Sequence, residues 1–255
     1  MVGRILQSIG RILARYLSKT IHGHVPVVVF SAEELQSVLL PGDILLVEGD
    51  TRVSVAIKYI TQSTWSHAAV FVGDRMNSQN DRGETLVLVE VDVEEGVIAV
   101  PLSKYCCLQT RICRPVGLSR EDCERVVDYA ISKLGNTYDL KNVIDLARYL
   151  LPTPPVPSRW RRRLLALGSG EPTRSICSTF IAQAFQSVRY PILPVIEHEN
   201  IRDAKSREIL HIRHHSLFAP RDFDLSPYFE IVKPTLTSNF NYKELTWGDF
   251  RDRSQ

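Results

Sequence analysis

Apolar residues recur along this chain with two different periods, and the switches between them divide it into segments. Within residues 2–21, Ile5, Ile9, Ile12, Leu13, Tyr16 and Leu17 fall on one face at helical spacing. Arg4, Arg11, Arg15 and Lys19 gather on its flank with no acid among them. This predicts a basic amphipathic helix within residues 1–24. From residue 25 to 117 the pattern is that of strands: 27–30, 44–47 after the turn Pro41-Gly42-Asp43, 68–72, 86–91, 97–100 and 110–113, with a polar loop at 74–83. An antiparallel sheet or partial barrel is expected from these runs.

Helical spacing returns after residue 118. Ser119, with Asp122 three residues on, opens a helix that Gly135 closes; Asp139 caps a second helix through Leu151; a third runs from about Ser175 to Val188. Pro152, Pro154, Pro155 and Pro157 stop the second helix, and Trp160, Arg161, Arg162, Arg163, Leu164 and Leu165 follow. Residues 152–172 therefore read as an insertion, either a lid or an interfacial anchor. Beyond Pro191 and Pro194 the chain reads as irregular, and 238–255 as a polar tail. The fold class expected is α+β: one domain over 25–237, its sheet packed against helices.

Composition narrows the functions. With 255 residues, 44% hydrophobic and 24% charged, the chain can bury a full core, which excludes a disordered protein. A net charge of +2 does not demand nucleic acid. There is no Walker loop, no GxGxxG after a strand and no basic helix interleaved with aromatics, so neither nucleotide cofactor nor nucleic acid is expected. Five cysteines without a CxxC pair argue against a disulfide framework and a zinc knuckle, and for a reducing compartment. His211, His214 and His215 lack a nearby cysteine or clear acid to complete a metal site, so no metal is expected. No run reaches the roughly 18 apolar residues that span a bilayer, and Arg11 and Arg15 interrupt any secretory h-region. The expected location is cytoplasmic, with Arg4, Arg11, Arg15 and Lys19 meeting an anionic membrane surface.

The candidate chemistry lies in two separated residues. Cys177 falls on the first turn of the third helix, where the helix terminus stabilises a thiolate, although a lone cysteine there is commonly a small core residue. His67 lies on a strand beside Ala68 and Ala69; alternation puts His67, Ala69 and Phe71 on one face, and the small neighbours leave room for a helix terminus or a substrate. A third group must accept from the other imidazole nitrogen. Glu90, in the apolar strand Leu86-Val87-Leu88-Val89-Glu90-Val91, needs a partner to offset its burial; Asp92 shares its face and is the alternative. Glu94 and Glu95 read as solvated turn residues.

Pro41-Gly42-Asp43-Ile44-Leu45, Ser66-His67-Ala68-Ala69-Val70, Val89-Glu90 with Gly96-Val97, Gly135-Asn136-Thr137-Tyr138-Asp139 and Cys177-Ser178-Thr179-Phe180 occur in this order over roughly residues 40 to 190. As a set they resemble the circularly permuted papain-like amidases of the YiiX, YaeF and YebB type, relatives of the NlpC cell-wall peptidases. The resemblance implies a permuted papain-like fold, Cys177 as nucleophile, His67 as base and then acid, Glu90 as orienting residue, and a thioester intermediate on an amide or ester. Ser66 and Ser178 fall inside the matching pieces and are expected at the substrate site, while Tyr138 lines the cleft or packs behind it. Ala68-Ala69 departs from the glycine common in the family. The insertion and the basic N-terminus lie outside the matched pieces and point toward lipid.

Three functions compete. The first is a cysteine hydrolase cleaving an amide of a peptide or N-acyl group. The second is a phospholipase or acyltransferase like the lecithin-retinol acyltransferase relatives, which also place histidine before cysteine; a carboxylate as third residue favours the first. The third is a non-catalytic, membrane-associated module binding lipid or peptide.

Overall fold

The computed structural model describes residues 16, 18–20, 29–137, 176–199, 207–211 and 214–234. Most of the expected N-terminal helix, the second helix from Asp139, the insertion 152–172, Tyr138 and the tail lie outside the described residues. Six strands form one antiparallel sheet: β1 (Ile44–Glu48), β2 (His67–Phe71), β3 (Leu88–Asp92), β4 (Gly96–Val100), β5 (Gln109–Pro115) and β8 (Phe229–Val232), in the order β4-β3-β2-β1-β5-β8. A separate hairpin pairs β6 (Val195–Glu199) with β7 (Arg207–His211). The helices are α1 (Ala32–Val38), α2 (Arg52–Thr61), α3 (Arg120–Ser132), α4 (Ile176–Ser187) and α5 (Pro220–Leu225).

The central strands are apolar at nearly every position because both faces of the sheet are covered. Ile44, Leu46, Ala68, Val70, Val89 and Val91 face a layer holding Val126 and Val127 of α3, Phe180, Ile181 and Phe185 of α4, and Phe223 of α5. Leu45, Val47, Ala69, Phe71, Leu88 and Ile112 face the other layer, built from Leu35 and Leu39 at α1 and from Leu102 and Tyr105. Burying a phenylalanine such as Phe180 or Phe185 completely contributes about 2 kcal/mol. Ser119 caps α3 by accepting from the Asp122 N–H at 3.1 Å, as the sequence predicts.

Several elements differ from expectation. Val29 and Phe30 are not in a strand; they lead into Ser31, which caps α1 in a reciprocal capping box with Glu34. Helix α2 occupies a stretch read as strand-rich, its β-branched Val53, Val55 and Ile57 obscuring a start that Thr51 caps. The stretch after Pro194, expected to be irregular, supplies β6, β7 and α5. It also supplies β8, a four-residue strand too short to show a period, which pairs with β5 from Ile112↔Val232 to Pro115↔Phe229.

Candidate active site

His67 is the first residue of β2 and pairs with Val47, the fourth of β1. The chain approaching it is fixed by Ser66, whose buried hydroxyl accepts from the Gly49 N–H at 2.9 Å and faces the Val47 carbonyl at 3.5 Å. Ser66 thus ties the end of β1 to the start of β2. Ala69 lies directly opposite Glu90 on β3, so His67 and Glu90 are diagonal neighbours on one sheet face. The His67 Nε2 lies 3.2 Å from Glu90 Oε2, which leaves Nδ1 as the ring nitrogen available to another partner.

Glu90 is 1% exposed, and a carboxylate so placed needs several donors. Besides the imidazole it accepts from the Tyr105 hydroxyl on Oε2 and from the Lys104 ammonium on Oε1. Both donors sit in the single 3-10 turn Leu102–Tyr105 that follows β4. Sequence reasoning missed them, because a Lys-Tyr pair in a short turn carries no periodic signal; only the folding of that turn under β2 and β3 brings them in. Asp92, the alternative to Glu90, instead accepts from the Glu94 and Glu95 N–H groups at 2.7 and 3.0 Å and caps the turn into β4.

Cys177 is the second residue of α4, 5% exposed, near enough to the His67 ring for sulfur and imidazole to interact, and 4.0 Å from the Ser178 hydroxyl. Ser178 is fully buried. Helix α4 packs on the face of β2 that carries Ala68 and Val70, whereas Glu90 and Tyr105 lie on the opposite face. It is therefore Ala68, rather than Ala69 on the histidine's own face, that gives the helix room. His67, at the opening end of β2, meets Cys177 from one layer and Glu90 from the other. With side-chain exposures of 22% and 38%, His67 and Lys104 are where solvent meets this cluster.

Charge follows from these contacts. Burial alone would lower His67, but the Glu90 carboxylate, and after it the Cys177 sulfur, outweigh that and hold the imidazole at about 10. Burial would raise Glu90, yet the imidazolium and then Lys104 pull it down to about 2. Burial, followed by Glu90, pushes the Tyr105 phenol well up, so its hydroxyl keeps the proton it donates. The thiols of Cys106, Cys113 and Cys123 are each pushed up, chiefly by burial, and make poor nucleophiles. A thiol beside a charged imidazole that is braced by a carboxylate is the arrangement acyl transfer to sulfur requires.

Among the described residues no group of three or more His, Cys, Asp and Glu side chains is placed to hold a metal ion. The His214 and His215 rings lie 4.0 Å apart, and the His211 side chain lies outside the described set. No helix of the described residues is long and apolar enough to cross a membrane.

No curated protein matches the chain. Among solved structures, one described as the metalloprotein yiiX from Escherichia coli matches with a TM-score of 0.44 and 16% identity, covering 76% of this chain and 96% of that one. Residues 38–149 match the family model described as permuted papain-like amidase enzymes, YaeF/YiiX, a segment that carries His67, Glu90, Lys104 and Tyr105 and ends before Cys177. Over this segment, which holds strands β1 to β5 and helices α2 and α3, the chain is similar to the permuted papain-like amidases of the YaeF/YiiX type.

Proposed function

We propose that the protein is a cysteine hydrolase that cleaves an amide bond through a thioester on Cys177. The observation that carries this reading is the imidazole of His67, set between the Cys177 sulfur and the Glu90 carboxylate. The Cys177 thiolate attacks the carbonyl carbon, forming the C–S bond. The oxyanion accepts from backbone N–H groups at the start of α4; one such donor is worth about 3 kcal/mol. As the C–N bond breaks, imidazolium Nδ1 gives its proton to the departing amine. Neutral His67 then takes a proton from water, which attacks the thioester; the acid leaves, sulfur departs as thiolate and the imidazolium re-forms. Glu90 accepts from Nε2 throughout, keeping Nδ1 toward sulfur.

One observation favours a lipid-borne acyl group. Helix α2 joins β1 to β2 at the end of the sheet where His67 lies, and it exposes Val55 and Tyr59, the latter 78% exposed. Arg52 of the same helix stands 4.0 Å over the exposed Tyr16 ring. Aromatic and basic side chains together suit an interface between water and acyl chains.

The test uses a thiol-directed acyl probe on protein in which the exposed Cys107 is replaced by serine. Labelling is expected at Cys177, lost in Cys177→Ala and reduced about 100-fold in His67→Ala. Competition by N-acyl peptide against phospholipid vesicles identifies the donor. Undiminished labelling of Cys177→Ala removes this residue from the role.

A further inference from the structure

The Glu90 carboxylate is occupied by more than the imidazole. Its Oε2 accepts both from His67 Nε2 at 3.2 Å and from the Tyr105 hydroxyl, while Oε1 takes the Lys104 ammonium. With both oxygens engaged, the carboxylate cannot rotate away from the ring. Tyr105 is itself fixed: it is buried, and its ring centroid lies 6.1 Å from that of His67 at 42°. The Lys104 ammonium stands 5.6 Å over the same Tyr105 ring.

We propose that Tyr105 and Lys104 are positioning residues that hold Glu90 in line with the imidazole and share out its negative charge, so that His67 releases its proton to the leaving group. This rests on Cys177, His67 and Glu90 being the reaction centre. A carboxylate buried beside a lone imidazolium gives that cation its whole field, and the ion pair resists losing the proton. A second cation on Oε1 and a neutral donor on Oε2 divide the field, and the Nδ1 proton becomes easier to give up. Among the described residues, the titratable groups around this point are His67 from β2, Asp92 at the end of β3, Lys104 and Tyr105 from the turn, and Cys177 from α4. Asp92 is committed to the Glu94 and Glu95 N–H groups, so the division falls to Lys104 and Tyr105.

The sign of the effect separates this role from mere support. Loss of packing would let water reach His67 and bring its titration down toward the free value of about 6.5. Loss of charge sharing moves it up. The experiment is an NMR titration of the His67 ring in the full chain with Cys177→Ser, which removes the coupled thiol, compared with the same protein carrying Lys104→Met, Lys104→Arg, Tyr105→Phe or Glu90→Gln. The midpoint is expected to rise by about one pH unit, a tenfold change in proton affinity, in Lys104→Met. It rises by less in Tyr105→Phe and returns to the parent value in Lys104→Arg. An unchanged or lowered midpoint in both Lys104→Met and Tyr105→Phe overturns the proposal. Glu90→Gln tests the underlying reading separately: it must lower the midpoint, and if it does not, the reaction centre itself is misassigned.

Discussion

Glu90 is one carboxylate with three donors, and its energetic role depends on pH in a way that can be worked out. Its ionisation is depressed from 4.5 to about 2, so its contribution to stability is complete above about pH 4.5 and is lost as pH falls through about 2. His67 is raised from 6.5 to about 10, so its contribution is complete below about pH 6.5 and is lost as pH rises through about 10. The stability difference between the parent and Glu90→Gln is therefore expected to be largest between about pH 4.5 and 6.5 and to shrink on both sides, as read from urea midpoints across pH. A constant difference would mean that the pair does not titrate with folding. His67, Glu90 and Cys177 stand out in the sequence as candidates because each breaks a local rule: a histidine and a glutamate in apolar strands, a cysteine opening a helix. Tyr105 and Lys104 break none. A tyrosine and a lysine in a polar turn are unremarkable until the turn is seen against the sheet.

At the scale of elements, strands β1 to β5 were legible because their apolar runs end at turns rich in glycine, proline and acids. Helices α1 and α2 were not, being short or rich in β-branched residues, and β8 borrows its definition from β5. One turn is more demanding than its sequence indicates. Gly96 opens β4 with φ +84°, and a Cβ there would stand 2.2 Å from the Asn136 carbonyl oxygen. The segment 135–136 is bound to that strand by the Val97 N–H on the Asn136 oxygen and the Gly135 N–H on the Val97 oxygen, both at 2.9 Å. Gly96→Ala meets both the left-handed backbone and the steric conflict, and is expected to cost about 2 kcal/mol or more. Hydrogen exchange at Val97 should accelerate with it, since the 135–136 segment must move off the edge. Wild-type exchange at that amide together with an unchanged melting temperature would contradict this account.

Across the whole molecule, the two layers are tied to the sheet by ion pairs absent from the sequence reading. Asp43, 1% exposed, takes Arg114 Nε and Nη2 at 2.9 and 2.7 Å and the Leu40 N–H at 2.8 Å, while Arg114 also reaches the Val38 carbonyl at 2.6 Å. The end of α1, the turn before β1 and strand β5 converge on it. Asp43→Ala leaves Arg114 without its carboxylate and is expected to destabilise by about 3 kcal/mol in urea unfolding; a loss below about 1 kcal/mol would show that water replaces the pair. On the far side, Asp224 of α5 accepts from Trp65 Nε1 at 3.0 Å and from Arg111 Nη1 at 2.6 Å, fastening the C-terminal elements beside the start of β2. Pairs between residues this far apart in the chain leave no local pattern to read. The meeting of His67 with one layer through Cys177 and with the other through Glu90 has a consequence for biosynthesis. On the function proposed above, a ribosome that has released only the segment containing the imidazole and its carboxylate has not yet supplied the sulfur at position 177, so acyl transfer to that residue must await the emergence and docking of α4.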